Sequence, residues 1–184
     1  MFTYAQARAL GVSDRRLYGW RDAGVVEQVG RGLYRRVDVN EVGDPDLVEV
    51  AHRVPEATLC LGSALARHGL TDLIPPVIDV AVPRTRRRPR VQAPVAWHRF
   101  ASETFGVGRD ELRVDAETVI GLYSPVRTVI DVFRLRHREG PDVAYEGLRR
   151  WLARREAQPS VLLAMARQFP QAEPALRQAL EVLL

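Results

Sequence analysis

The chain has 184 residues, is 46% hydrophobic and carries a formal net charge of +4. That is enough apolar material for one domain or two small ones. There is no lysine, so arginine carries the positive charge, Cys60 stands alone, and no apolar run approaches the ~20 residues needed to span a bilayer. A lone cysteine rules out an internal disulfide and is too little for a zinc site. The first residues lack the basic, apolar and cleavage regions of a secretory signal. The expectation is a cytoplasmic protein with no membrane partner and no cofactor.

Residues 1–37 read as one compact unit. Tyr4 to Leu10 suits a short helix with Ala5, Ala9 and Leu10 turned inward, broken by Gly11 and followed by Val12 as a buried turn residue. Ser13 is a natural cap for a second helix running to Ala23, with Gly24 as its stop. On that helix Leu17 and Trp20 share the inner face; Arg15, Tyr18, Gly19 and Asp22 fall opposite. Val25–Val29 and Leu33–Val37 then read as two strands about a Gly30-Arg31-Gly32 turn.

A polar break at 38–47 marks the expected boundary, giving units of 1–42 and 43–184. Beyond it, Leu47–Val54 reads as helix and Thr58–Leu61 as a short strand. Ser63 is expected to cap a helix that runs to His68 and stops at Gly69. Val77–Val82 reads as a strand ended by Pro83, and a dense arginine loop follows to Arg90. Val95–Phe100 and Leu112–Tyr123 supply further strand material. Helices are expected from Pro125 to Arg136, Pro141 to Glu156, Pro159 to Gln168 and Gln171 to Leu184, each opening at or near a proline or acid. The fold class expected is α+β: an N-terminal winged helix-turn-helix, then a mixed α/β domain ending in helices.

A helix fits the DNA major groove, and its N-terminal residues reach base edges and phosphates. Ser13, Arg15, Arg16, Tyr18 and Arg21 on the second helix are therefore candidate DNA contacts. Arg15 suits base readout, because arginine pairs bidentately with guanine; Arg16 and Arg21 suit backbone contacts. Arg31 at the hairpin tip suits the minor groove or a phosphate ridge. Arg84, Arg86, Arg87, Arg88 and Arg90 form a run that needs a polyanion or solvent to screen it. The plain alternatives are a solvated basic helix, an ordinary hairpin turn and a solvated loop. Catalytic signals are sparse. His52, His68, His98 and His137 lack metal-helix spacing, Ser63 sits in no nucleophile elbow, and Asp72, Asp79 and Asp131 are far apart for a metal site. No catalytic or metal residue is assigned, and the chain is not expected to be an enzyme.

The order of these segments resembles the AbiEi antitoxins. Tyr4 to Tyr34 looks like that family's winged-helix domain. Leu61-Gly62-Ser63-Ala64-Leu65-Ala66-Arg67-His68-Gly69-Leu70-Thr71-Asp72, Pro75-Pro76, Val80-Ala81-Val82-Pro83-Arg84 and Tyr123-Ser124-Pro125-Val126-Arg127-Thr128 with Asp131 are similar to its body. One position departs: Val126 stands where the family pattern often has an acid. The resemblance implies a DNA-binding antitoxin that binds inverted repeats in its own promoter and represses a toxin–antitoxin or phage-defence operon. It also implies a cognate nucleotidyltransferase-like toxin as partner, opposed with or without direct contact. On this pattern Arg15, Arg16 and Arg31 carry over as DNA contacts, and the arginine loop joins a basic surface. Two other functions fit the residues: an ordinary winged-helix regulator whose second domain senses a ligand or dimerises, and a DNA-targeted nuclease built near Asp79.

Overall fold

The structure, a computed structural model, describes residues 1–37 and 44–184. It is a mixed α+β protein with two sheets. The expected junction between residues 42 and 43 lies outside the described residues. The chain groups into two compact units: Met1–Pro55 with Pro89–Pro94 and Arg113–Ile120, and Glu56–Arg88 with Val95–Leu112 and Gly121–Leu184.

The first unit opens with β1 (Phe2–Thr3), a strand the sequence did not suggest, and α1 (Tyr4–Ala9). Thr3 caps α1 in a reciprocal box: its hydroxyl accepts from the Gln6 amide while the Gln6 side chain accepts from the Thr3 amide. The inward residue of α1 is Ala7, 3% exposed, and Leu10 is 84% exposed. The expected inner face of Ala5, Ala9 and Leu10 is therefore corrected. The helix ends at Ala9, so Leu10 takes the cap position and leaves the face that Tyr4 and Ala7 share.

Next come α2 (Asp14–Asp22), β2 (Val26–Gly30) and β3 (Leu33–Arg36). Ser13 caps α2 through the Arg16 amide at 3.3 Å. Gly24, at φ +70°, closes it, with Val25 N–H donating to Trp20 and Gly24 N–H to Arg21. The sheet runs β1-β3-β2, antiparallel throughout. Leu17, Ala7, Val26 and Tyr34 form the core, packed by Phe2, Tyr4, Val12 and Trp20. Trp20 is only half-buried, so Leu17 is the anchor and Trp20 its cover. Then α3 (Pro45–Arg53), capped by Asp44, buries Leu47, Val48, Glu49, Val50 and Ala51.

The second unit contains β4 (Thr58–Leu59), α4 (Leu61–Arg67), β5 (Ile78–Pro83), β6 (Val95–Phe100) and α5 (Ser102–Phe105). It continues with β7 (Arg109–Arg113) and β8 (Val119–Tyr123), of which Arg113, Val119 and Ile120 group with the first unit, and with α6 (Pro125–Arg134), α7 (Arg136–Glu139), α8 (Pro141–Leu152), α9 (Pro159–Ala166) and α10 (Glu173–Leu183). The sheet order is β6-β5-β4-β8-β7. β4 is antiparallel to β5 and parallel to β8, while β5 and β6 run parallel from Ile78↔Val95 to Pro83↔Phe100.

Two expectations change here. Leu112–Tyr123 is not one strand: β7 and β8 are joined at a turn where Asp115 accepts from the amides of Glu117 and Thr118. Ser63 does not cap α4, which starts at Leu61 after Cys60. Its hydroxyl instead accepts the Asp79 amide at 2.8 Å, tying helix to strand. The helices pack on α6, whose Val129, Ile130, Val132 and Phe133 are fully buried with Leu148, Leu162 and Leu176. Among the described residues, no helix is long and apolar enough to cross a membrane.

Candidate nucleic-acid interface

The capped start of α2 follows from its sequence. Ser13 is extended at φ −74° and ψ 156°, leaving its hydroxyl to take one of the first free amides. Asp14, the first helical residue, would repel a phosphate placed there. Its charge is shared out: the Tyr4 hydroxyl donates to it at 2.6 Å and Arg8 pairs with it at 3.4 Å. The hydrogen bond to Asp14 is the main reason that the Tyr4 hydroxyl holds its proton more tightly than an ordinary tyrosine.

The outward side chains of α2 differ in how free they are. Arg15 is exposed and makes no ion pair or hydrogen bond among the described residues. The Arg16 guanidinium lies 4.9 Å from the Trp20 ring, a contact that orients it without neutralising it. Arg21 pairs with Asp22 at 2.8 Å and rests 5.1 Å from the Tyr18 ring. Tyr18 is 41% exposed and lies one helical turn on from Arg15.

At the hairpin, Gly32 takes φ +74°, where a side chain is strained, and Gly30 pairs with Leu33 across a register shift after Gln28. Arg31 is thereby held at an exposed tip. The tip is tied at both ends: Tyr4 N–H donates to the Gly32 carbonyl at 2.8 Å, and Arg53 on α3 donates to the Arg31 carbonyl at 2.8 Å. Arg35 is not free, since it pairs with Glu27 across the strands at 2.6 Å. Ser13, Arg15, Arg16, Tyr18, Arg21 and Arg31 therefore all belong to the first unit.

Arg84, Arg86, Arg87 and Arg88 belong to the second unit. They begin the connection between two parallel neighbours, β5 and β6, so the chain must travel back the length of the sheet. Arg84, Arg87 and Arg88 are exposed. Arg86 is engaged: Nη1 reaches both oxygens of Glu56 at 2.8 Å. The Arg84 carbonyl accepts from the Arg99 guanidinium. Arg90 follows in Pro89–Pro94, which groups with the first unit. Sequence reasoning missed Glu49 and Arg53, because nothing local marks an acid and an arginine on a helix as partners of a distant turn.

Of the residues weighed for catalysis, Ser63, Asp79 and His98 come together, Ser63 through the Asp79 amide, while Asp72, Asp131 and His68 take other partners. Asp72 pairs with Arg150 at 2.8 Å, Asp79 with His98 at 2.9 Å, and Asp131 with Arg127 and Arg134 at 2.9 Å each. His68 donates from Nε2 to the Tyr123 carbonyl at 2.7 Å. Among the described residues, no group of three metal-ligating side chains converges.

Residues 1–37 match a family model described as "Transcriptional regulator, AbiEi antitoxin". The match ends at the close of the hairpin and does not reach the segments of residues 61–131 that carry the rest of the resemblance. No curated protein matches the chain.

Proposed function

We propose that this chain is a sequence-specific DNA-binding regulator, an antitoxin that represses its own toxin–antitoxin operon in the cytoplasm. In this reading α2 is the recognition helix and β2–β3 is the wing of a winged helix-turn-helix. Residues 43–184 carry the antitoxin activity against a nucleotidyltransferase-like toxin. The observation that carries the reading is the exposed face of α2. Arg15, unpaired among the described residues, ring-supported Arg16 and Tyr18 stand by a capped helix start whose single acid is already partnered. The family match over the same residues supports it.

The test is fluorescence anisotropy on the duplex upstream of the chain's own gene. Arg15→Ala is expected to cost about 1–3 kcal/mol and to relax preference at one base position. Binding by that variant equal to the parent's, with the same preference, removes α2 as the reader. Protection of cells by residues 43–184, co-expressed with the neighbouring toxin, tests the antitoxin half; loss of protection in a folded fragment overturns it.

A second reading, a regulator with a ligand-sensing second unit, is favoured by one observation. A cavity of about 280 Å³ is lined by Gly62, Leu65, Pro75, Asp79, Val132 and Val143 among others.

A further inference from the structure

Three segments of the first unit meet at one carboxylate. Glu49 on α3 is 4% exposed. It accepts the Gln92 amide on both oxygens at 3.1 and 2.9 Å, the Ala93 amide at 2.9 Å, and Arg53 Nε at 3.0 Å. These donors are what make a buried carboxylate tolerable. Arg53 continues the chain of contacts by donating to the Arg31 carbonyl at the hairpin tip. Gly30 completes the junction: a Cβ there would stand 3.5 Å from Glu49 Oε1 and 3.9 Å from Gln92 Oε1. The backbone at Arg31, through Arg53, and the backbone two residues after Arg90, directly, are thus both tied to Glu49. The side chains of Arg31 and Arg90 are both exposed.

We infer that Glu49 is a positioning residue that holds Arg31 and Arg90 as one phosphate-binding pair for duplex DNA. The inference rests on the DNA-binding reading above. It makes the DNA-contacting unit discontinuous in the chain: a fragment ending at residue 42 lacks Glu49, Arg53 and the Arg90 segment. It also makes a prediction opposite in sign to simple charge. Glu49→Gln removes a negative charge, which on electrostatics alone strengthens binding to a polyanion. A lost positioning residue weakens it instead.

The experiment uses the full chain, with anisotropy titrations against its own upstream duplex and a scrambled duplex over a range of salt. Arg31→Ala and Arg90→Ala should each lower the slope of log affinity against log salt by about 0.9, one phosphate apiece. Glu49→Gln should weaken binding to both duplexes and lower the slope by about one to two. Circular dichroism shows whether that variant is folded; if it is not, Arg53→Met and Arg90→Ala decide. Arg53→Met keeps the aliphatic stem and should lower the slope by about one. Folded Glu49→Gln with the parent's slope and equal or tighter binding overturns the inference. So does Arg90→Ala with an unchanged slope, even while Arg15→Ala still impairs binding. A parent that binds neither duplex overturns the DNA-binding reading itself.

Discussion

Replacing Asp131 by asparagine keeps its shape and removes its charge, so the loss is electrostatic with no cavity. Asp131 is fully buried, with Arg127 Nε and Arg134 Nη2 each at 2.9 Å. Removing one partner of such a pair generally costs about 3–5 kcal/mol, because an uncompensated charge stays inside. The two arginines differ. Arg134 is 15% exposed and can turn toward water, whereas Arg127 is 0% exposed. Arg127 retains the Thr104 and Val107 carbonyls at 2.7 and 2.6 Å, and the Tyr123 and Phe169 rings at 4.3 Å. Those contacts soften the loss, so Asp131→Asn is expected near the lower end, about 3 kcal/mol. Urea unfolding followed by tryptophan fluorescence measures it, since Trp151 lies in the same core at 4% exposure. Arg127→Met combined with Asp131→Leu should recover much of the loss, because Arg134 alone then remains and can reach water. A cost for Asp131→Asn below about 1 kcal/mol, with an unchanged urea slope, would refute the reasoning.

Two further outcomes are expected. Leu17→Ala, at a site 1% exposed, should cost about 2–5 kcal/mol and more than Trp20→Ala. Thermal melts of the full chain followed by circular dichroism decide, and the reverse order would make Trp20 the anchor instead. His68 and His52 both have pKa values lowered from 6.5, mainly by burial. Their contribution to stability is full above the unfolded value of about 6.5 and is lost as the pH falls through the lower folded values. Melting temperatures should therefore drop between pH 8 and pH 5, and His68→Asn should drop less steeply; an identical slope in that variant would remove His68 from the account.

How much of this was legible in the sequence depends on how local each feature is. Ser13, Gly24 and Gly32 act through bonds and dihedrals within a few residues, so the two helices and the hairpin could be placed from residue order. The prolines that open α6, α8 and α9 did the same for the tail. Arg127 and Asp131, four residues apart, could be read as an ion pair, but not as buried beneath Phe169 and Tyr123. What residue order could not supply is pairing at a distance. The two-residue strand β1 exists only because β3 is there to bond it. The arginine loop becomes a long return connection only because β5 and β6 lie parallel. Glu49 is one acid among many in the sequence. It becomes a junction because α3 brings it to the Gln92 and Ala93 amides and, through Arg53, to the Arg31 carbonyl. Tertiary structure decides such features because a buried charge is stable only where distant donors converge on it.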